Sequence, residues 1–167
     1  SLVGGYNVNE NGTITLGFAD SGMKIALFGV DKIDLTDRDR VREYFHTVHH
    51  EYCHIINQKK PYSDEFAKIT PSGYTAVWNN HTDAEALQLG FISAYARANN
   101  IEDFAEMTAH MLIMGKTAWD TKINAITSAT AKEALRKKEA FVVNYFKSEW
   151  NIDFYELQAE VQRKIQQ

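Results

Sequence analysis

His50-Glu51-Tyr52-Cys53-His54 has the form H-E-x-x-H and lies in a stretch with helical periodicity. Histidines four residues apart stand one above the other on a helix, so both imidazoles can reach one metal ion. The glutamate after the first histidine is then placed to work on water that the metal activates. The chemistry this spacing serves best is zinc-dependent hydrolysis, most directly of a peptide bond. With six histidines in the chain, a shuffled sequence would show the pattern on the order of 1% of the time. The competing reading is a surface helix that carries the three residues by accident, and it is the surroundings that decide between the two.

A hydrolytic zinc ion takes three protein ligands and keeps one position open. One way to supply the third extends the motif to H-E-x-x-H-x-x-G-x-x-H. The glycine position is Asn57 here and the histidine position is Lys60, so the chain is not of that kind. The other way is a glutamate from a second helix. Glu102 and Glu106, in Ile101-Glu102-Asp103-Phe104-Ala105-Glu106, are four apart and share a helix face. One can act as ligand and the other as partner of a ligand histidine; spacing alone does not rank them. A solvated acidic first turn that complements the helix dipole is the competing reading. The surrounding Phe104, Ala105, Ala109 and Ile113 weigh against a wholly solvated face.

The elements that must position these groups follow from periodicity. Thr13–Phe18 alternates like a strand, Asp20-Ser21-Gly22 reads as a turn, and Met23–Val30 as a second strand. From about residue 36 the period becomes helical. Thr36 is the expected cap, with Asp39 three residues on. Val41, Phe45, Val48, Tyr52 and Ile55 form the stripe expected to face the core, with His50 and His54 opposite, toward a cleft. Residues 57–83, with both prolines, Pro61 and Pro71, read as irregular. A short helical turn follows near Asp83–Leu89, and residues 89–96 read as extended or looped. A helix capped by Asn100, with Asp103 at its third position, runs to about Gly115. Ala131–Trp150 and Phe154–Ile165 are the clearest later helices, separated by Asn151-Ile152-Asp153. The expected fold is α+β: mostly helical, with a small N-terminal sheet. The expected organisation is a single catalytic domain over 1–167, with the sheet in about 1–35, the active-site helix in 36–57, the third-ligand helix in 100–115 and C-terminal helices in 116–167.

Bulk composition limits the alternatives. The 167 residues are 44% hydrophobic and 24% charged, which suits one globular core. The net charge is −4 and no basic stripe is present, so nucleic acid is not an expected partner. No apolar run is long enough to cross a bilayer. Cys53 is the only cysteine, which excludes an intrachain disulfide and a four-cysteine zinc site; it reads as a small packing residue. His46, one turn before His50, is the weaker alternative ligand, and His49 reads as a partly buried helix residue. His81 and His110 are isolated, and Trp78, Trp119 and Trp150 read as core.

The combination of His50-Glu51-x-x-His54 with Glu102-Asp103-Phe104-Ala105-Glu106, preceded by Gly90-Phe91-Ile92-Ser93-x-Tyr95-Ala96, resembles the zinc-binding metallopeptidases found among bacterial surface lipoproteins. It is also similar to the catalytic domain of anthrax lethal factor and the related Pro-Pro endopeptidases. The matched region runs from about Gly12 to His110. The resemblance implies a zincin-like fold of the type with a glutamate third ligand, with Zn2+ held by His50, His54 and Glu102. It implies Glu51 as general base, Tyr95 as the donor to the oxyanion, and Glu106 behind a ligand histidine. A peptide or protein substrate is expected, together with an extracytoplasmic, outer-membrane or surface lipoprotein setting beside nutrient-uptake components. Lipoproteins of this kind carry a lipobox and more chain ahead of the sheet than is seen here. The alternative is a zincin-like module that binds beside an uptake system without turnover.

Overall fold

The computed structural model describes residue 3 and residues 7–10, 12–20 and 23–165. The chain forms two compact units, Ser1–Pro61 and Tyr62–Gln167. Among the described residues the architecture is α+β: short antiparallel pairs at the N-terminus, then helices.

In the first unit, β1 (Asn7–Val8) pairs with β2 (Ile14–Thr15), and β3 (Gly17–Asp20) with β4 (Lys24–Leu27). Gly17 lies opposite Leu27 and Asp20 opposite Lys24. The expected turn at Asp20-Ser21-Gly22 falls partly outside the described residues. The expected strand Thr13–Phe18 is divided at Leu16, and the second strand stops at Leu27. Gly29 then turns through a left-handed φ of 66° into a single 3-10 turn at Val30–Lys32.

Helix α1 (Arg38–Lys59) packs on β3 and β4. Its cap is Asp37, whose side chain accepts from the Asp39 and Arg40 amides at 3.0 and 3.2 Å. The expected cap, Thr36, is otherwise engaged. Its amide and hydroxyl both donate to Asp34 Oδ1, at 2.8 and 2.6 Å. The expected core stripe also needs correction. Tyr52 is 59% exposed and Phe45 37% exposed, whereas Thr47, His50 and Glu51 are buried. Of the expected stripe Ile55 is buried, together with Cys53 and Ile56, so the enclosed side of the helix combines apolar residues with Thr47, His50 and Glu51.

The second unit begins with irregular chain that is closely tied. Tyr62, Phe66, Phe104, Phe141 and Tyr145 form an aromatic cluster, with Tyr62 stacked on Phe104 at 4.2 Å. Such pairs add about 0.5–1.5 kcal/mol beyond area burial. Helix α2 (Asp83–Leu87) opens with a capping box between Thr82 and Glu85. The segment expected to be extended contains one 3-10 turn, Tyr95–Arg97.

Helix α3 (Asn100–Asn124) starts one residue earlier than expected. Asn99, not Asn100, is the cap; its backbone is extended, and its Oδ1 accepts from the Ile101 and Glu102 amides at 2.9 and 3.0 Å. Gly115, with φ 75° and ψ 163°, breaks the hydrogen-bond ladder, and helix resumes beyond it. The break is why the sequence reads as a helix end there. Carbonyls freed at the break need donors, and α5 (Phe154–Ile165) supplies them. Gln158 Nε2 donates to the Met111 carbonyl at 2.6 Å, and Gln162 Nε2 to those of Leu112 and Ile113 at 2.6 and 2.9 Å. Helix α4 (Ala129–Trp150) is capped by Ser128 and ends at Asn151 in the left-handed region (φ 53°). No helix among the described residues is long and apolar enough to cross a membrane.

Candidate functional site

The predicted residues divide between the two units. His50, Glu51 and His54 lie on α1, in the first. Tyr95, Glu102 and Glu106 lie in the second, on the turn before α3 and on α3 itself.

On α1 the four-residue spacing does what helix geometry demands. The His50 and His54 Nε2 atoms are 3.0 Å apart, and the rings meet edge to face with centroids 4.7 Å apart. Two imidazole nitrogens bound to one zinc at roughly 2.0–2.1 Å in a tetrahedral arrangement would be about 3.3 Å apart. The pair therefore fits two ligand positions of such an ion with a shift of a few tenths of an ångström. Both donor atoms are the same ring nitrogen, and His50 is 95% enclosed (5% exposed). Borderline-soft nitrogen donors of this kind suit zinc. Glu51, also buried, follows His50 on the helix.

The neighbouring histidines are placed differently. His46 lies one turn back, with its ring 6.3 Å from that of His50. His49 turns along the helix, and its Nδ1–H donates to the Phe45 carbonyl at 2.6 Å. Burial pulls the His49 pKa down, outweighing that hydrogen bond, which raises it. His49 is thus a neutral, partly buried helix residue at neutral pH. Cys53 is buried, with Sγ 3.4 Å from Asn57 Oδ1.

In the second unit the start of α3 is held from several directions. Asp103 is wholly buried and pairs with the wholly buried Lys138 of α4 at 2.7 Å. Tyr74 Oη donates to Asp103 Oδ2 at 2.9 Å, and Lys138 Nζ donates to the Gly90 carbonyl at 2.8 Å. The ammonium also lies 3.8 Å from the Phe91 ring centroid. Burial pushes the Asp103 carboxyl up to about 6, against the opposing pull of Lys138 and Tyr74. Burial likewise lowers Lys138, against Asp103.

Glu102 is half-buried beside this anchor, its amide held by the Asn99 cap. Glu106, one turn on, is buried. Its Oε2 accepts from the Ser93 hydroxyl at 2.6 Å and stands 3.5 Å from His110 Nε2. Ser93 also accepts from the Ala96 amide at 3.1 Å, which ties the turn carrying Tyr95 to α3. Tyr95 is 36% exposed and packs edge-on against Trp78 at 4.8 Å.

Sequence reasoning overlooked Ser93, Tyr74 and the Asp103–Lys138 pair. One signal was available. Lys138 falls on the stripe of α4 with Leu135 and Val142, both buried, where a lysine is costly without a partner. His110 read as isolated, yet it is the neighbour of Glu106.

A helix-borne imidazole pair with an intervening carboxylate is the arrangement that helix-based zinc hydrolases use. Comparison with known proteins gives the family. Residues 1–155 match the family model described as "Putative zinc-binding metallo-peptidase", and the chain belongs to that family. Its fold matches the crystal structure of "a putative zinc-binding metallo-peptidase" from Bacteroides caccae, with a TM-score of 0.77 and 32% sequence identity over 97% of this chain. The chain spans 59% of the length of that protein. No curated protein matches. Zinc is the metal that the family description names, and the His50–His54 pair offers two nitrogen donors suited to it.

Proposed function

We propose that this chain is a zinc-dependent peptidase in which His50, His54 and Glu102 hold the metal and Glu51 is the general base. The observation that carries the proposal is the His50–His54 pair, with His50 buried, Nε2 atoms 3.0 Å apart and Glu51 on the same helix, in a member of this family. Glu102 is preferred over Glu106 on two grounds. The resemblance of Glu102-Asp103-Phe104-Ala105-Glu106 to related peptidases assigns the ligand to its first residue. Glu106 already accepts from Ser93 and neighbours His110, which suits a supporting role.

Bound zinc would supply Lewis-acid activation of water and of the scissile carbonyl at neutral pH. Glu51 takes the proton of the attacking water and passes it to the leaving amine. Tyr95 donates a hydrogen bond to the oxygen that gains charge, an interaction whose loss costs about 3–4 kcal/mol of barrier. Its exposure leaves the hydroxyl within reach of a substrate. The enclosure of His50 and Glu51 limits access of bulk water, which strengthens these electrostatic effects.

The test is turnover of a mixed peptide library by zinc-loaded protein, with a chelator control. Glu51→Gln is expected to keep stoichiometric zinc and lose turnover by a factor of 10² or more, as for a general base. Parental turnover in that variant would sink the assignment. Chelator-insensitive turnover would remove zinc from the reaction, and no turnover in the zinc-loaded parent would favour a binding module instead. The proposed setting is extracytoplasmic, as a surface lipoprotein acting on peptide or protein beside outer-membrane uptake components. It is supported by the sequence resemblance, and recovery of the native protein only from the cytosolic fraction would overturn it.

A further inference from the structure

The backbone of β3 approaches α1 at one point. A Cβ added at Gly17 would lie 2.7 Å from Glu51 Cγ, 3.0 Å from its Oε1 and 3.1 Å from its Cδ. Carbon atoms in contact are normally about 3.5–4.0 Å apart. Any side chain at position 17 must therefore push that of Glu51 aside by roughly 1 Å. The backbone of Gly17 does not itself demand glycine. It lies in a regular strand opposite Leu27, and its φ is not positive, unlike those of Gly12, Gly29, Gly90 and Gly115. What position 17 requires is the space. That space is taken by a buried carboxylate on the next packed element.

We propose that Gly17 is a positioning residue for Glu51: the bare backbone of β3 is the seat that sets where the carboxylate stands. The inference rests on the reading of Glu51 as general base. An error of about 1 Å in a catalytic group costs on the order of 10²-fold in rate. The group displaced is a side chain and not backbone, so Gly17→Ala moves the carboxylate and leaves the unit folded.

The experiment compares four zinc-loaded proteins: parent, Gly17→Ala, Glu51→Ala and the double variant. Gly17→Ala is expected to fold, bind one zinc and lower kcat on a mixed peptide library by tenfold or more, with KM within about twofold. Its denaturation midpoint should fall in the parent background and not in the Glu51→Ala background, where the space has been vacated. Parental kcat in Gly17→Ala, an equal midpoint shift in both backgrounds, or failure of Gly17→Ala to fold would each overturn the proposal. The two readings fail separately. A fully active Glu51→Gln removes the general base and leaves the midpoint coupling to report the contact alone.

Discussion

The middle of α1 and the start of α3 both carry candidate ligands, and they are built in opposite ways. On α1 the two imidazoles meet because residues four apart on any helix meet. Their 3.0 Å approach is a local fact of one element, supported by a light strand pair. At the start of α3, Glu102 is a single carboxylate beside a buried polar anchor. That anchor draws on Tyr74, Gly90, Phe91 and Lys138, up to 64 residues apart along the chain. The contrast is between a site specified by spacing and one specified by tertiary structure. A pair of ligands on one helix needs little else to be preorganised. A lone ligand needs its helix start fixed against movement, and a buried ion pair with a satisfied ammonium does that.

The most severe test of this contrast is on α1. His50→Ala or His54→Ala removes half of a two-nitrogen chelate, and His46, whose ring lies 6.3 Å from that of His50 against 4.7 Å for His54, is less well placed to replace it. Zinc content measured on purified protein is expected to fall from about one per chain to near zero, with turnover abolished. Because the pair is a property of the helix, the helical content measured by circular dichroism should be unchanged. Retention of stoichiometric zinc in either variant would show that the metal is held elsewhere.

The effect at α3 should appear in stability. Lys138→Met keeps the stem and removes the ammonium, leaving the wholly buried Asp103 carboxylate without its partner. The expected loss is about 3–5 kcal/mol in denaturant unfolding. The double change Lys138→Met with Asp103→Leu should recover much of it, because replacing both members of a buried pair is often near neutral. If Lys138→Met cost less than about 1 kcal/mol, the anchor would be no anchor, and the contrast with α1 would collapse.

The same contrast explains what was legible beforehand. The motif on α1 could be read because its information lies within five residues, and the helices Ala131–Trp150 and Phe154–Ile165 because their periodicity is uninterrupted. The caps at Asp37 and Asn99 were each missed by one residue, since the adjacent Thr36 and Asn100 are also favoured cap types by sequence. The buried face of α1 was read only in part, at Ile55, because periodicity counts apolar side chains and the enclosed residues also include Thr47, His50 and Glu51. Ser93 gave no signal, and the place of Lys138 on an apolar stripe did not name its partner, because Glu106 and Asp103 are brought to these residues by the fold. The continuation of α3 past Gly115 depended in the same way on Gln158 and Gln162.

The gentlest test lies where α4 meets α5, outside both candidate ligand segments. Glu139 is buried, accepts from Arg136 at 2.7 Å and from the Tyr155 hydroxyl at 2.9 Å. Burial raises its pKa, but the hydrogen bonds and the Arg136 charge outweigh this and hold it below the ordinary 4.5. A carboxyl whose folded value is depressed adds stability that is fully present above its unfolded value. That stability is lost as pH falls through the lower, folded one. The parent should therefore lose thermal stability progressively below about pH 4.5, and Glu139→Gln should flatten that part of the curve. At neutral pH the variant should melt lower by about 2–4 °C, corresponding to roughly 1 kcal/mol. Its zinc content should equal that of the parent, since this network anchors neither the imidazole pair nor the start of α3. A parallel acid limb in parent and variant would show that the protons responsible bind elsewhere, and the distinction between structural and site-directed polar networks would have to be redrawn.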